Sequence, residues 1–196
     1  TKEHGLPDNQ VQCLLQTHDG YLWIGTRNGL ARFDGLKFTV FNRANTSLMA
    51  DDDCRSLEED AQGNLWIATR SELLRFRNQE LRRFGQPDGL EGGPVYGPYS
   101  SKRAGLWIAS PSWLNLLHDG KMNCYGSSNG LLGRICSLQE DEKGILWVGQ
   151  ERALQRFDPQ TTTFSTNCMP NQLSHTVVQT LQCDAQGDLW AVFTEA

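Results

Sequence analysis

One short string built around a tryptophan returns every forty-odd residues along this chain. It reads Asp19-Gly-Tyr-Leu-Trp-Ile-Gly-Thr-Arg-Asn-Gly-Leu-Ala-Arg-Phe-Asp34, then Gln62-Gly-Asn-Leu-Trp-Ile-Ala-Thr-Arg-Ser-Glu-Leu-Leu-Arg-Phe76. A third copy is Gly105-Leu-Trp-Ile-Ala-Ser-Pro-Ser-Trp-Leu-Asn-Leu-Leu117, and a fourth is Lys143-Gly-Ile-Leu-Trp-Val-Gly-Gln-Glu-Arg-Ala-Leu-Gln-Arg-Phe157. A shorter fifth is Gln186-Gly-Asp-Leu-Trp-Ala-Val192. The anchoring residues Trp23, Trp66, Trp107, Trp147 and Trp190 are separated by 43, 41, 40 and 43 residues, a spacing that belongs to propeller blades or solenoid units.

Inside each copy the turn chemistry chooses between those two. Val11–Gln16, Tyr21–Gly25, Leu30–Phe33 and Phe38–Phe41 are apolar runs, and His18-Asp-Gly20, Arg27-Asn-Gly29 and Asp34-Gly35 lie between them. Asp-Gly and Asn-Gly reach positive φ cheaply, as tight hairpins require. Strands two and three carry apolar residues at both parities, the pattern of a sheet packed on both faces. The expected fold is therefore all-β: a β-propeller of four-stranded antiparallel blades, here four blades plus half of a fifth in one segment spanning 1–196. The repeats fall at about 9–51, 52–93, 94–133, 134–175 and 176–196. Pro94 and Pro98 should shorten or displace the first strand of the third copy. Polar connectors are expected at 42–52, 85–93, 126–133 and 166–175. The outer faces of the end blades should leave an isolated segment marginal or prone to form homo-oligomers.

Composition narrows the partners. A net charge of -5 with no long Lys/Arg run gives no footprint for nucleic acid or an anionic membrane, and no apolar run approaches a bilayer span. The six cysteines lack C-x-x-C spacing; Cys13, Cys54 and Cys136 fall in first strands as small hydrophobes, with a disulfide the minor alternative.

Several motifs invite chemistry and lose to simpler readings. Gly126-Ser-Ser-Asn-Gly130 has the spacing of a nucleophile elbow around Ser128, but no helical pattern follows it. Asp19-Gly20, Asp60–Gly63, Asp141–Gly144 and Asp184–Gly187 resemble calcium loops but offer one or two carboxylates each, too few for a hard cation. The histidines His4, His18, His118 and His175 are scattered. No metal, cofactor or catalytic residue is expected. The turns between strands two and three supply the candidate ligand-binding set: Arg27 and Asn28, Arg70, Trp113, and Glu151 with Arg152. Arginines and an aromatic there suit a small molecule or oligosaccharide, although the arginines also read as solvated edge residues and Trp113 as packing between blades.

The repeats resemble the two-component regulator propellers found in extracytoplasmic sensor regions of bacterial hybrid histidine kinases and related receptors. Asp19-Gly-Tyr-Leu-Trp-Ile-Gly-Thr26 with Gly29-Leu-Ala-Arg-Phe-Asp34 carries the resemblance, as do Gly63-Asn-Leu-Trp-Ile-Ala-Thr69 and Gly144-Ile-Leu-Trp-Val-Gly149. The lead-in Gly5-Leu-Pro-Asp-Asn-Gln-Val11 is similar to an opening blade. The resemblance implies a periplasmic or extracytoplasmic location, non-catalytic ligand sensing, further propeller blades in the parent chain, and an output module elsewhere. Departures are Glu72, Trp113 and Ala153 in the place of Gly29, and Gln150 in the place of Thr26. The alternatives are a propeller enzyme such as a lyase or glycosidase, and a structural protein-interaction platform.

Overall fold

The computed structural model describes the chain apart from residues 1, 2, 4, 167, 171, 172, 174, 185 and 196. His4 and part of the connector at 166–175 thus lie outside the described residues. The strands are β1 (Val11–Gln16), β2 (Leu22–Thr26), β3 (Gly29–Phe33), β4 (Phe38–Phe41), β5 (Cys54–Glu59), β6 (Leu65–Thr69), β7 (Leu73–Arg77), β8 (Glu80–Phe84) and β9 (Gly97–Ser101). They continue as β10 (Gly105–Ser110), β11 (Trp113–His118), β12 (Lys121–Tyr125), β13 (Ile135–Glu140), β14 (Leu146–Gln150), β15 (Ala153–Asp158), β16 (Thr163–Phe164), β17 (Thr176–Cys183) and β18 (Leu189–Glu195). Consecutive strands pair into four four-stranded meanders and one two-stranded sheet, β17 with β18. All five tryptophans lie on second strands, as the repeat requires. Among the described residues no helix is long and apolar enough to cross a membrane.

The chain divides into two compact units, Thr1–Ser100 and Ser101–Ala196. In the first, Trp23, Leu30, Met49, Cys54, Leu57, Ile67, Leu74 and Phe76 form one core cluster of blades one and two. In the second, Met169, Val178 and Leu181 pack with Trp147, Leu189, Ala191 and Phe193. The prolines act as expected: β9 starts at Gly97, ten residues before Trp107, whereas β5 starts twelve before Trp66. All six cysteines are free. Burial pushes the Cys13 thiol up to about 11 and Cys54 higher still.

One residue, six before each tryptophan, builds the turn between strands one and two. Asp60 Oδ1 accepts from the backbone N–H of Gln62 (3.0 Å) and Asn64 (2.9 Å), while Oδ2 accepts from Trp66 Nε1 at 2.7 Å. Asp141 does the same for Lys143, Ile145 and Trp147, and Asp184 for Gln186, Asp188 and Trp190. Thr17 and Ser101 stand in these places in blades one and three, where Ser101 Oγ accepts from Arg103 and Ala104. The carboxylates that resembled calcium loops are thus taken up by their own turns.

The three aspartate turns each place a glycine three residues before tryptophan, at φ +73 for Gly63, +82 for Gly144 and +85 for Gly187, where a side chain is strained. The same bare Cα receives the neighbouring blade. A methyl on Gly63 would stand 2.9 Å from His18 Cε1, and one on Gly144 2.9 Å from Arg103 Cδ. Glu142 lies over Gly187 in the same manner, 3.6 Å from where a Cβ would be.

Candidate functional site

In blades one and two the turn after the second strand is closed from inside by a hydroxyl. Thr26 Oγ1 donates to Gly29 O (2.7 Å) and accepts from Asn28 N (3.2 Å). Thr69 Oγ1 does the equivalent with Glu72 O and N. Both threonines are fully buried, leaving the intervening residues, Arg27 with Asn28 and Arg70 with Ser71, on the surface. Glu72, in the place of Gly29, staples the connector. Its Oε1 accepts from Ala50 N (2.7 Å) and Asp51 N (3.2 Å), and its Oε2 pairs with Arg83 Nε at 2.7 Å.

Arg27 and Arg70 lie beside Asp53, whereas Asn28 turns to Asp8. Arg70 N donates to Asp53 O at 2.9 Å, and Asn28 Nδ2 donates to Asp8 Oδ2. The Asp53 carboxylate accepts from Gln12 Nε2 and from Arg55 Nη2 at 3.0 Å. Partial burial alone would raise the Asp53 carboxyl, but the bonds from Gln12 and Arg55 and the charges of Arg55 and Arg27 hold it below the ordinary carboxylate range. Arg43 pairs with Asp52 at 3.0 Å. Arg43 and Arg55 thus face Asp52 and Asp53, the Gln12 amide also meets Asp53, and the Asn28 amide meets Asp8.

The second unit holds the other three candidates. Ser110 Oγ donates to Trp113 O at 3.1 Å, closing its turn as the threonines do. Trp113 is half-buried, and a methyl on Gly126 would meet its ring carbons at 3.1 Å, so the indole lies flat against the connector rather than standing free. Gln150 takes the hydroxyl's place in blade four and is fully buried. Its turn is reshaped: Arg152 adopts φ +66, and its N–H donates to Thr176 O at 3.0 Å. Glu151 N donates to Arg134 O (3.1 Å), its carboxylate meets Arg134 Nη1 at 3.3 Å, and its backbone bridges to Val177. The six predicted residues thus divide three and three between the units.

Two turns built by one rule, joined to a tryptophan strand and a small-residue step, occupy the first 76 residues. Residues 5–28 and 46–71 match the two component regulator propeller family. The matched stretches hold both turns of the first unit, Arg27 and Asn28 in one and Arg70 in the other. A search of curated proteins gives no match. Among solved structures, the extracellular domain of a hybrid two component system from B. thetaiotaomicron aligns with TM-score 0.78 and 20% identity, over 92% of this chain and 26% of that one. A catalytically inactive virginiamycin B lyase from Staphylococcus aureus, solved with quinupristin, aligns with TM-score 0.72 and 16% identity, over 95% of this chain and 65% of that one. PorZ, a surface component of the type-IX secretion system of Porphyromonas gingivalis, aligns with TM-score 0.68 and 14% identity, over 94% and 31%. These likenesses establish the propeller fold, and this chain spans about a quarter of the hybrid two component system's extracellular domain.

Within that fold Ser128 has a plain role. Gly126-Ser-Ser-Asn-Gly130-Leu131 repeats Gly85-Gln-Pro-Asp-Gly89-Leu90, and each forms a single 3-10 turn, Ser127–Asn129 and Gln86–Asp88. Asn129 Oδ1 accepts from Gly126 N at 3.1 Å as Asp88 Oδ2 accepts from Gly85 N at 3.0 Å, and Leu131 and Leu90 anchor the turns in the core. Sequence reasoning passed over this second repeat, and also over Asp53, Gln12 and Asp8. The run Asp51-Asp52-Asp53 opposite two arginine-bearing turns was the available signal.

Proposed function

We propose that this chain is part of an extracytoplasmic regulator propeller and works as a non-catalytic sensor module that binds a neutral oligosaccharide. The observation that carries the reading is the family match over residues 5–28 and 46–71. The candidate residues Arg27, Asn28, Arg70, Gln12 and Asp53 all fall within those stretches. Fold likeness to an extracellular domain of a hybrid two component system supports the location and the sensing role.

The ligand class follows from the charges. Arginines already faced by Asp53, Asp52 and their neighbours offer little net field to an anion, whereas carboxylate, guanidinium and amide groups together suit hydroxyls, which both donate and accept. The non-catalytic reading is supported by the use of Asp60, Asp141, Asp184 and Glu72, whose oxygens accept turn and connector N–H groups. Calorimetric titration with neutral and anionic oligosaccharides, beside an assay for altered sugar products, tests this. Neutral sugars should bind unaltered, and replacing Arg27 and Asn28 together by alanine should weaken binding at least about tenfold. Cleaved or eliminated product, or binding indifferent to that replacement, overturns the reading.

A further inference from the structure

Cys13 and Cys54 meet where blade one joins blade two, and the other blades show what normally stands in both places. The residue two positions after each tryptophan is small, at Gly25, Ala68, Ala109 and Gly149, with Val192 in the half-blade of β17 and β18. At this small-residue step the first strand of the following blade comes close. A Cβ on Gly149 would stand 3.1 Å from Val178 Cβ and 2.6 Å from its Cγ1, and one on Gly25 would stand 3.2 Å from Cys54 Cβ. Cys54 thus takes the place of Val178, twelve residues before its tryptophan, where the remaining blades carry Val11, Val95 and Ile135. The space that the branch of Val178 fills is taken at this joint by the sulfur of Cys13, which crowds the same point above Gly25.

Cys13 is itself the exception at its own position, ten residues before Trp23, where the other blades have Ser56, Gly97, Ser137 and Thr180. Ser137 Oγ accepts from Leu181 N at 3.0 Å, whereas Cys13 Sγ points at Cys54 O, 3.8 Å away and 41 residues along the chain. Two departures from the repeat therefore fall at one joint, each beside the other. The preceding residues hold the strands in step, since Gln12 Nε2 donates to Asp53 Oδ1. Cys13 Sγ and Cys54 Cβ both lie within 3.2 Å of one point, separations on the scale that a disulfide spans. We infer that Cys13 and Cys54 are a disulfide site, a covalent staple between the first strands of blades one and two that closes in an oxidising compartment. The structure holds the pair reduced. The bond forms by two thiol–disulfide exchanges. The thiolate of Cys13, the less buried of the two, attacks a disulfide oxidant and expels one thiol; the Cys54 thiolate then attacks the Cys13 sulfur of the mixed disulfide and expels the second. Two S–H bonds are lost and one S–S bond is gained, and the oxidant leaves as two thiols carrying both electrons and both protons. The inference is independent of the ligand surface proposed above.

The test uses the full 196-residue chain, folded throughout. Wild type is equilibrated without denaturant in oxidised glutathione or in dithiothreitol, the remaining thiols are alkylated, and the digest is mapped by mass. Oxidation should link the Cys13 and Cys54 peptides within one chain and raise the melting temperature by about 5–10 °C, as closing a long loop does; dithiothreitol should reverse both. Cys13→Ser and Cys54→Val, which restore the residues of other blades, should fold and lose the response. Absence of the linked peptide overturns the inference, as does glutathione retained on Cys13 with Cys54 still free, because the second sulfur would then be out of reach. A linkage between two chains, or a linked pair that melts with the reduced protein, overturns it equally.

Discussion

Blade two and the two-stranded sheet carry the same turn and the same tryptophan, yet the two indoles end in opposite surroundings. Trp66 donates to Asp60 and Trp190 to Asp184, each at 2.7 Å, but Trp66 is 1% exposed and Trp190 66%. The hydrogen-bonded turn is local, fixed by seven residues of sequence. Burial is not local: it comes from Phe84 and the strands that bring it. Trp147 stands between the two, half-buried and packed against Val178 and Leu181 of the two-stranded sheet's cluster.

If that division is right, replacement costs should separate widely. Trp66→Ala should destabilise the first unit by about 3–5 kcal/mol, the penalty for emptying a large aromatic site, while Trp190→Ala should stay within about 0.5 kcal/mol, as surface changes do. Equal costs in urea unfolding would break the comparison outright. A methyl added at the small-residue step sharpens it next. On Gly149 it would stand 2.6 Å from Val178 Cγ1, so Gly149→Ala should cost about 1–3 kcal/mol through overpacking, whereas Val192→Ala, at the same step of the half-blade, should leave the melting temperature nearly unchanged.

The turn itself should matter less, and in both places. Asp60→Ala leaves the indole and Asn64 N–H groups without acceptors in a buried setting, at about 1–3 kcal/mol, and the matching Asp184→Ala should cost less because water reaches Trp190. Differential scanning of the two variants measures the gap; a larger loss from Asp184 would mean that the half-blade is held by its turn alone.

The smallest effect is a pH step confined to the complete blades. Glu59 accepts from His18 N and pairs with its ring, and this hydrogen bond and charge raise the His18 pKa above its ordinary 6.5. A raised histidine pKa adds stability that is whole below 6.5 and is lost as pH rises through the higher folded value. At the equivalent contact of the half-blade Glu142 stands in place of a histidine. NMR titration of His18 in wild type and Glu59→Gln follows it, and an unshifted midpoint in the variant would remove the pairing as the cause.

The fold was largely legible because its signals are local and repeated. Val11–Gln16 and Phe38–Phe41 stand as strands with the boundaries read from sequence, and the second strand shifted by one residue, to Leu22–Thr26. The site was less legible. Arg27, Asn28 and Arg70 could be placed at turns, but Asp53 and Asp8 could not be brought beside them, since that depends on the path of two connectors. Glu72 in place of a glycine signalled a changed loop; its bonds to Ala50 and Asp51 show a connector staple instead. Trp113 had two readings, platform or wedge, and lies half-covered on Gly126, a contact set by the neighbouring connector rather than by its own strand.

The glycine beneath three of the contacts between successive blades also says how such a chain can change over time. Imidazole, guanidinium and carboxylate each rest on that bare Cα, at Gly63, Gly144 and Gly187 respectively, so the partner is free to drift while the glycine, tied to its turn by φ, is not. A duplicated blade inherits a socket that here receives three chemically different plugs. Lineages of repeats built this way can exchange or add units without redesigning the joint, and the cost of divergence falls on the exposed turns, where new binding chemistry is written.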